Sequence, residues 1–312
     1  MTNSSHPLAT AVAYGKTILS GEHSVVYGHP AIVSQISLKM HVLLFEDSFT
    51  ASDLEYPYVK LFNEDLSIFK EKYPEVTDKL PVHLTLSVTG DLPLGFGLGG
   101  SAAVASASFQ ALAQLANKSL SPEELLELVQ LSENFAHGKS SGVDATAVVH
   151  GGLLEFRKKD QQLWHQPIIT SALEKRPFFL LSSGKPVEST KEMVMMVKDR
   201  MATDPTTKKI LKQIGEVTTE FISELKQNTF EPILLQKNER LLEELGVVSP
   251  AAQSLISQIE AVGGFAKITG AGGLKEGSGM ILAYHSDPFL LEEFSTQHNL
   301  YPYQIFFTQK KP

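Results

Sequence analysis

Four short stretches carry the residue types that chemistry needs. The first, LPLGFGLGGSAA, sets Gly95, Gly97, Gly99 and Gly100 ahead of an alanine-rich run. Glycines let backbone N–H groups approach an anion closely, and a helix starting at Ser101 would aim its positive dipole end at that anion. A triphosphate could lie along this backbone, and the Ser101 hydroxyl could ligate Mg2+. A tight turn packing a buried helix accounts for the same run. Gly95, Gly97 and Gly100 also satisfy G-x-G-x-x-G literally. A dinucleotide site, however, wants a strand directly before the loop and an acid about 20 residues later. Here Pro93 intervenes, and the nearest downstream acid, Glu123, opens another helix. No Walker A is present, because Gly15-Lys16-Thr17 and Gly138-Lys139-Ser140 both lack the motif's leading glycine.

The second stretch is GKTILSGEHSVVYG. Lys16 sits among apolar and small residues, either as an exposed loop lysine or as a cation that stabilises phosphate charge. Glu22 and His23 fall in a turn between strands, as a surface pair or as ligand groups. The third stretch is SENFAHGKSSGVDATAVV. Asp144 lies in an apolar run, where a carboxylate needs a partner or a function, or caps the helix that follows. Glu133 lies near the C-terminal end of its helix, where the dipole disfavours an acid and favours a cation partner, a Lys, an Arg or a metal. His137 follows one turn later, without the H-E-x-x-H of a zinc protease. The fourth stretch, KITGAGG, is a second glycine loop after a strand and contains Thr269.

The elements that position these residues follow from periodicity and punctuation. Residues 10–50 read mainly as strands, broken by Gly21, Gly28 and Pro30. Residues 53–75 read as a helix with Leu61, Leu66 and Phe69 on one side, and residues 82–88 alternate as a half-buried strand. An uncharged helix starts at Ser101. The next begins with an S-x-x-E capping box at Ser121 and Glu124, has Pro122 at its first position, and ends before Gly138. After Trp164 the pattern resets: FFLLSSGKP reads as a strand and turn, a helix-rich stretch from ESTKEMVMMVKDR reaches about Ile259, GGFAKITGAGG reads as a strand plus glycine loop, and GMILAYH as another strand. With 312 residues, about two domains are expected at roughly 150 residues each. The expected division is 1–168 and 169–312, and the mixed order of elements gives an α+β class.

Composition limits the partners. The chain has 27 basic and 35 acidic residues, a net charge of −8, so a global basic footprint for nucleic acid is absent. With no cysteine, a disulfide scaffold, a thiolate metal site and a cysteine nucleophile are excluded. No apolar run is long enough to span a membrane. The N-terminus lacks the positive and apolar regions of a secretory signal, and a cytoplasmic location is expected. Oligomeric state is not fixed by the sequence, and a homodimer is one compatible assembly.

In order along the chain, GKTILSGEHSVVYG, LPLGFGLGGSAA, SENFAHGKSSGVDA and KITGAGG together resemble the GHMP small-molecule kinases, and among them those acting on mevalonate. The resemblance spans roughly residues 12–285. It implies a domain like ribosomal protein S5 domain 2 followed by a ferredoxin-like domain. It also implies ATP as co-substrate, Mg2+ as cofactor and mevalonate as substrate. Carried over by residue, ATP would lie along Pro93, Gly95, Gly97, Leu98, Gly99, Gly100, Ser101, Ala102 and Ala103. Ser101 and Glu133 would hold Mg2+. Asp144 would accept the proton of the substrate's primary hydroxyl, with Lys16 beside the transferred phosphoryl. Glu22, His23 and Thr269 would face mevalonate.

Two departures stand out. The family's TGAGGGG becomes TGAGGLKEGSGM, with Leu274, Lys275 and Glu276 in place of the glycine run, which weakens any nucleotide contact by Gly272 and Gly273. Gly100 stands where Ser is common, removing one hydroxyl contact. The alternatives are a phosphomevalonate, sugar or homoserine kinase, a non-catalytic ligand sensor on the same fold, and a Rossmann oxidoreductase. Homoserine kinases are expected to lack the carboxylate at position 144, and a sensor has no need of Lys16, Ser101, Glu133 and Asp144 together.

Overall fold

A computed structural model of the chain describes residues 6–46, 56–138, 140–159 and 162–307. Lys139 and residues 53–55 lie outside the described residues. The fold is α+β. Its chain forms two compact units that alternate along the sequence. The first takes Met1–Gly15, Leu38–Leu92 and Gly99–His150, and the second takes Lys16–Ser37, Pro93–Leu98 and Gly151–Pro312. This grouping differs from a single division after residue 168, because strands β1 (Ala9–Ser20) and β2 (Ala31–Phe45) each contribute residues to both units.

In the first unit, Met40–Phe45 of β2 pair antiparallel with β3 (Thr85–Gly90). The expected strand at 82–88 is displaced toward the C-terminus. Its ladder opens only where Thr85 meets Phe45, and Val82 is exposed. The helices are α1 (Tyr56–Lys72), α2 (Gly100–Leu115), α3 (Pro122–His137) and α4 (Val143–His150). The short side chains of α2 explain its central place. Ala102, Ala103, Ala105, Ala107 and Ala111 are fully buried, and α1, α3 and α4 all pack against it. Helices approach closely where the contacting side chains are small. Phe62, Phe69, Phe109 and Leu128 fill the remaining space. The capping box of α3 is complete, with Glu124 N–H on Ser121 Oγ at 3.1 Å and Ser121 N–H on Glu124 Oε2 at 2.8 Å. A cap of this kind is worth about 1 kcal/mol.

In the second unit, Ala31–Ser34 of β2 pair antiparallel with β4 (Leu153–Lys159), which pairs with β5 (Gln162–Pro167). A second antiparallel sheet contains β6 (Phe178–Ser182), β7 (Phe265–Ile268), β8 (Met280–Tyr284) and β9 (Tyr303–Ile305), in the order β7-β8-β6-β9. Helices α5 (Thr190–Thr203), α6 (Pro205–Lys226), α7 (Ile233–Leu245), α8 (Pro250–Ala261) and α9 (Pro288–Gln297) complete this unit. Phe179, Leu181, Ile214, Leu242, Ile256, Ile281 and Leu291 meet in its core. Among the described residues, no helix is long and apolar enough to cross a membrane.

Candidate functional site

In the second unit the site grows from the end of β1. Lys16 is a strand residue, only 2% exposed, so the loop-lysine reading is corrected. Its ammonium donates to the Gly97 carbonyl at 2.9 Å, and its backbone N–H donates to the Leu98 carbonyl at 2.9 Å. A lysine is thereby built into the first half of the glycine loop. Gly97 has φ 83°, and a Cβ there would lie 3.0 Å from the Thr269 carbonyl. The Thr17 and Thr269 hydroxyls are 2.7 Å apart, and Thr269 Oγ1 accepts the Ile18 N–H at 2.9 Å. Lys16, Gly97, Leu98 and Thr269 thus come together in one unit.

Glu22 and His23 are 1% and 5% exposed, which overturns the surface-pair reading. Glu22 Oε1 forms an ion pair with Lys267, and Oε2 accepts from Asn238 Nδ2 at 3.0 Å. Ser20 Oγ holds Asn238 Oδ1 at 3.0 Å. Next to this pair, Glu239 Oε2 accepts the Ile268 N–H at 2.9 Å. Burial pushes the Glu239 carboxyl up to about 8, against the opposing pull of Lys267 and the Ile268 N–H. His23 has φ 58° and ψ −46°, and the Ser24 N–H bonds across it to the Glu22 carbonyl at 2.6 Å. Its Nε2 lies 3.0 Å from the Ala271 carbonyl, so that nitrogen carries the hydrogen. Burial lowers the ring to about 4, opposed by the bond to Ala271, and His23 is neutral at pH 7.

In the first unit, α2 starts from Gly99 in the left-handed region, and no acid lies in its first turn. The positive end of its dipole is therefore not neutralised by its own side chains. Ala102 and Ala103 are fully buried, and the Ala103 N–H already donates to the Gly99 carbonyl at 2.9 Å, so of this pair the Ala102 N–H is the group that could serve an anion. Ser101 Oγ lies 3.0 Å from His137 Nε2, and Glu133 Oε1 lies 3.9 Å from the same nitrogen. A hydroxyl and a carboxylate, both hard oxygen donors, converge at this helix start. Mg2+ is commonly held by one or two carboxylates plus substrate phosphates and waters, and this donor set fits such a phosphate-completed site. Among the described residues, no group of three or more His, Cys, Asp or Glu could form an all-protein cage. Asp144 lies in the first turn of α4, inside the helix rather than at its cap, where the dipole favours a carboxylate.

Pro93 and Gly95 sit with Gly97 in the loop of the second unit, and Lys185 packs against Gly95. The altered third motif folds back on itself. A Cβ on Gly272 would meet the Val247 carbonyl at 2.0 Å, and one on Gly273 would meet the Gly277 carbonyl at 2.2 Å. Both glycines are required by packing. Sequence reasoning missed Lys267, Asn238 and Glu239. The available signal was a lone lysine inside the apolar strand FAKI. It also missed Asp65 on α1, whose carboxyl is fully buried near Ser132.

The family profile described as GHMP kinases N terminal domain matches residues 60–152. Over 297 residues the chain is 33% identical to the mevalonate kinase of Pyrococcus abyssi, covering 85% of this chain and 86% of that protein. Its fold is similar to that of the L. major mevalonate kinase in complex with R-mevalonate. That match has a TM-score of 0.80 and 20% identity, over 98% of this chain and 100% of that one. It is also similar to the Methanococcus jannaschii mevalonate kinase, with a TM-score of 0.78 and 23% identity over 99% of this chain and 100% of that one. At these identities the two structures show the fold alone.

Proposed function

The chain belongs to the GHMP kinases, in their mevalonate kinase branch, and from that premise we propose that it transfers the γ-phosphoryl group of ATP to the primary (C5) hydroxyl of mevalonate, giving 5-phosphomevalonate. The observation that carries this reading is the convergence of Ser101 and Glu133 at the start of α2, in a chain 33% identical to a mevalonate kinase over most of its length.

Phosphoryl transfer asks little covalent chemistry of the protein. It asks for positioning and for neutralisation of spread negative charge. Backbone N–H groups from Gly99 to Ala102 bind the phosphates. Ser101 and Glu133 would hold Mg2+, which would supply positive charge to neutralise the phosphates. Asp144 takes the proton of the C5 hydroxyl as that oxygen bonds to phosphorus and ADP leaves. Lys16, held by Gly97, balances charge on the transferring group. His23 and Thr269 face the substrate alcohol. Cytoplasmic residence agrees with the need for ATP and with the absence of cysteine.

Asp144→Asn tests the assignment. It should abolish phosphoryl transfer, by about 10²-fold or more, while nucleotide binding followed by a fluorescent ATP analogue is retained. Unchanged turnover would remove Asp144 from the mechanism.

A further inference from the structure

We propose that Glu22 is a positioning residue rather than a substrate contact, and that Lys267 and Asn238 fix through it the strained turn that presents His23. The proposal rests on the reading above, since it concerns the substrate side of that site.

The partners of Glu22 leave it no free oxygen. One is paired with Lys267 and the other accepts from Asn238. Lys267 is equally engaged. It is fully buried, and besides Glu22 its ammonium donates to the Ile18 and Ile268 carbonyls. An ammonium has three donors, so none remains for a ligand. A buried ion pair is a poor source of stability, because apolar residues of the same size often do as well. What this pair does supply is a fixed position for the residue next to Glu22.

That residue is His23. A turn closed across one residue at positive φ is rare and strained for a side chain with a Cβ. Such strain persists only where the surroundings over-determine it. Here one segment grips the turn twice. Lys267, at the end of β7, holds the Glu22 side chain, and Ala271, four residues on, holds the His23 ring. Thr269 lies between them, tied to Thr17 and to the Ile18 N–H. The orientation of His23 relative to Thr269 is therefore set by this clamp. Asn238 extends the clamp to Ser20, whose hydroxyl is 2.7 Å from that of Thr218 on α6.

The test is a double-mutant cycle on the full chain, with Lys267→Met, Glu22→Gln and both together. Each single change should raise KM for mevalonate by about 10²-fold, the scale of a 1 Å misplacement, with KM for ATP within about twofold of wild type. The double variant should be no worse than the worse single one, because the two residues act as one unit. Losses that multiply would mean Glu22 meets the substrate independently of Lys267, and an unchanged KM would mean the clamp positions nothing. Either result overturns the proposal.

If Lys267→Met does not fold, Asn238→Ala removes only the second hold on Glu22. It should raise KM for mevalonate by about tenfold, and an unchanged KM overturns the proposal. The His23 ring resonances, read by NMR without substrate, should move in every variant, and resonances that stay in place overturn it. If the wild-type chain fails to use mevalonate, the assigned activity falls, while the NMR arm still judges the clamp.

Discussion

Glu239→Gln should change how stability depends on pH. Glu239 is fully buried on α7; one carboxylate oxygen accepts the Ile268 N–H, and the other has no hydrogen-bond partner. Two buried carboxylates, Glu22 and Glu239, share the neighbourhood of one ammonium. Burial raises the Glu239 carboxyl from the ordinary 4.5 to about 8, against the opposing pull of Lys267, so Glu239 keeps its proton at neutral pH. Between those values the unfolded chain has released the proton while the folded chain still binds it. Stability therefore falls as pH rises through that window and is level outside it. Each pH unit is worth about 1.4 kcal/mol, so the full span gives a ceiling of about 5 kcal/mol. Gln has the same shape and does not titrate. Urea unfolding of both proteins at pH 5, 6, 7 and 8 reads the effect. The variant's advantage over wild type should widen by at least about 2 kcal/mol from pH 5 to pH 8. A gap that stays constant, or one that narrows as pH rises, refutes the charge assignment.

Three further outcomes are expected. Asp65, pushed up to about 7 by burial against the opposing Ser132 hydroxyl, predicts that Asp65→Asn gains on wild type as pH rises through neutrality; parallel melting curves at pH 5 and 8 would contradict it. Gly277→Ala places a Cβ 2.3 Å from the Gly184 carbonyl and should cost about 1–3 kcal/mol in thermal unfolding, whereas no loss would mean this turn is not tightly packed. Glu133→Gln should weaken Mn2+ binding in the presence of nucleotide by about tenfold or more, measured by EPR, and unchanged affinity would remove Glu133 as a metal ligand.

Local signals in the sequence located the helices well. The capping box at Ser121 and Glu124 and the stop at Gly138 mark α3. The glycine-to-alanine switch marks the start of α2, whose first buried positions, Ala102 and Ala103, are small. The residues Leu274, Lys275 and Glu276 in place of a glycine run weaken a nucleotide contact by Gly272 and Gly273, but they do not reveal that both glycines are packed against backbone carbonyls. The internal environment of the site was less legible. Lys16, Glu22 and His23 read equally well as surface residues, because their burial depends on partners far along the chain. Glu22 and Lys267 are 245 positions apart, and Thr17 and Thr269 are 252 apart. No short-range pattern encodes such pairings. The compact units were hidden for a similar reason. Periodicity finds strands β1 and β2 but not that each serves two units. The start of β3 was missed because alternation identifies a strand, while its ladder partner decides where pairing opens.

The chain transfers phosphate to one alcohol of one substrate class. The direct measurement is turnover with Mg2+ and ATP against a panel of mevalonate, 5-phosphomevalonate, homoserine and galactose, with the product read by 31P NMR. Mevalonate should be preferred, with one ADP formed for each phosphomonoester on its C5 oxygen. Preference for another alcohol, or ATP consumption that yields only inorganic phosphate, would contradict the account.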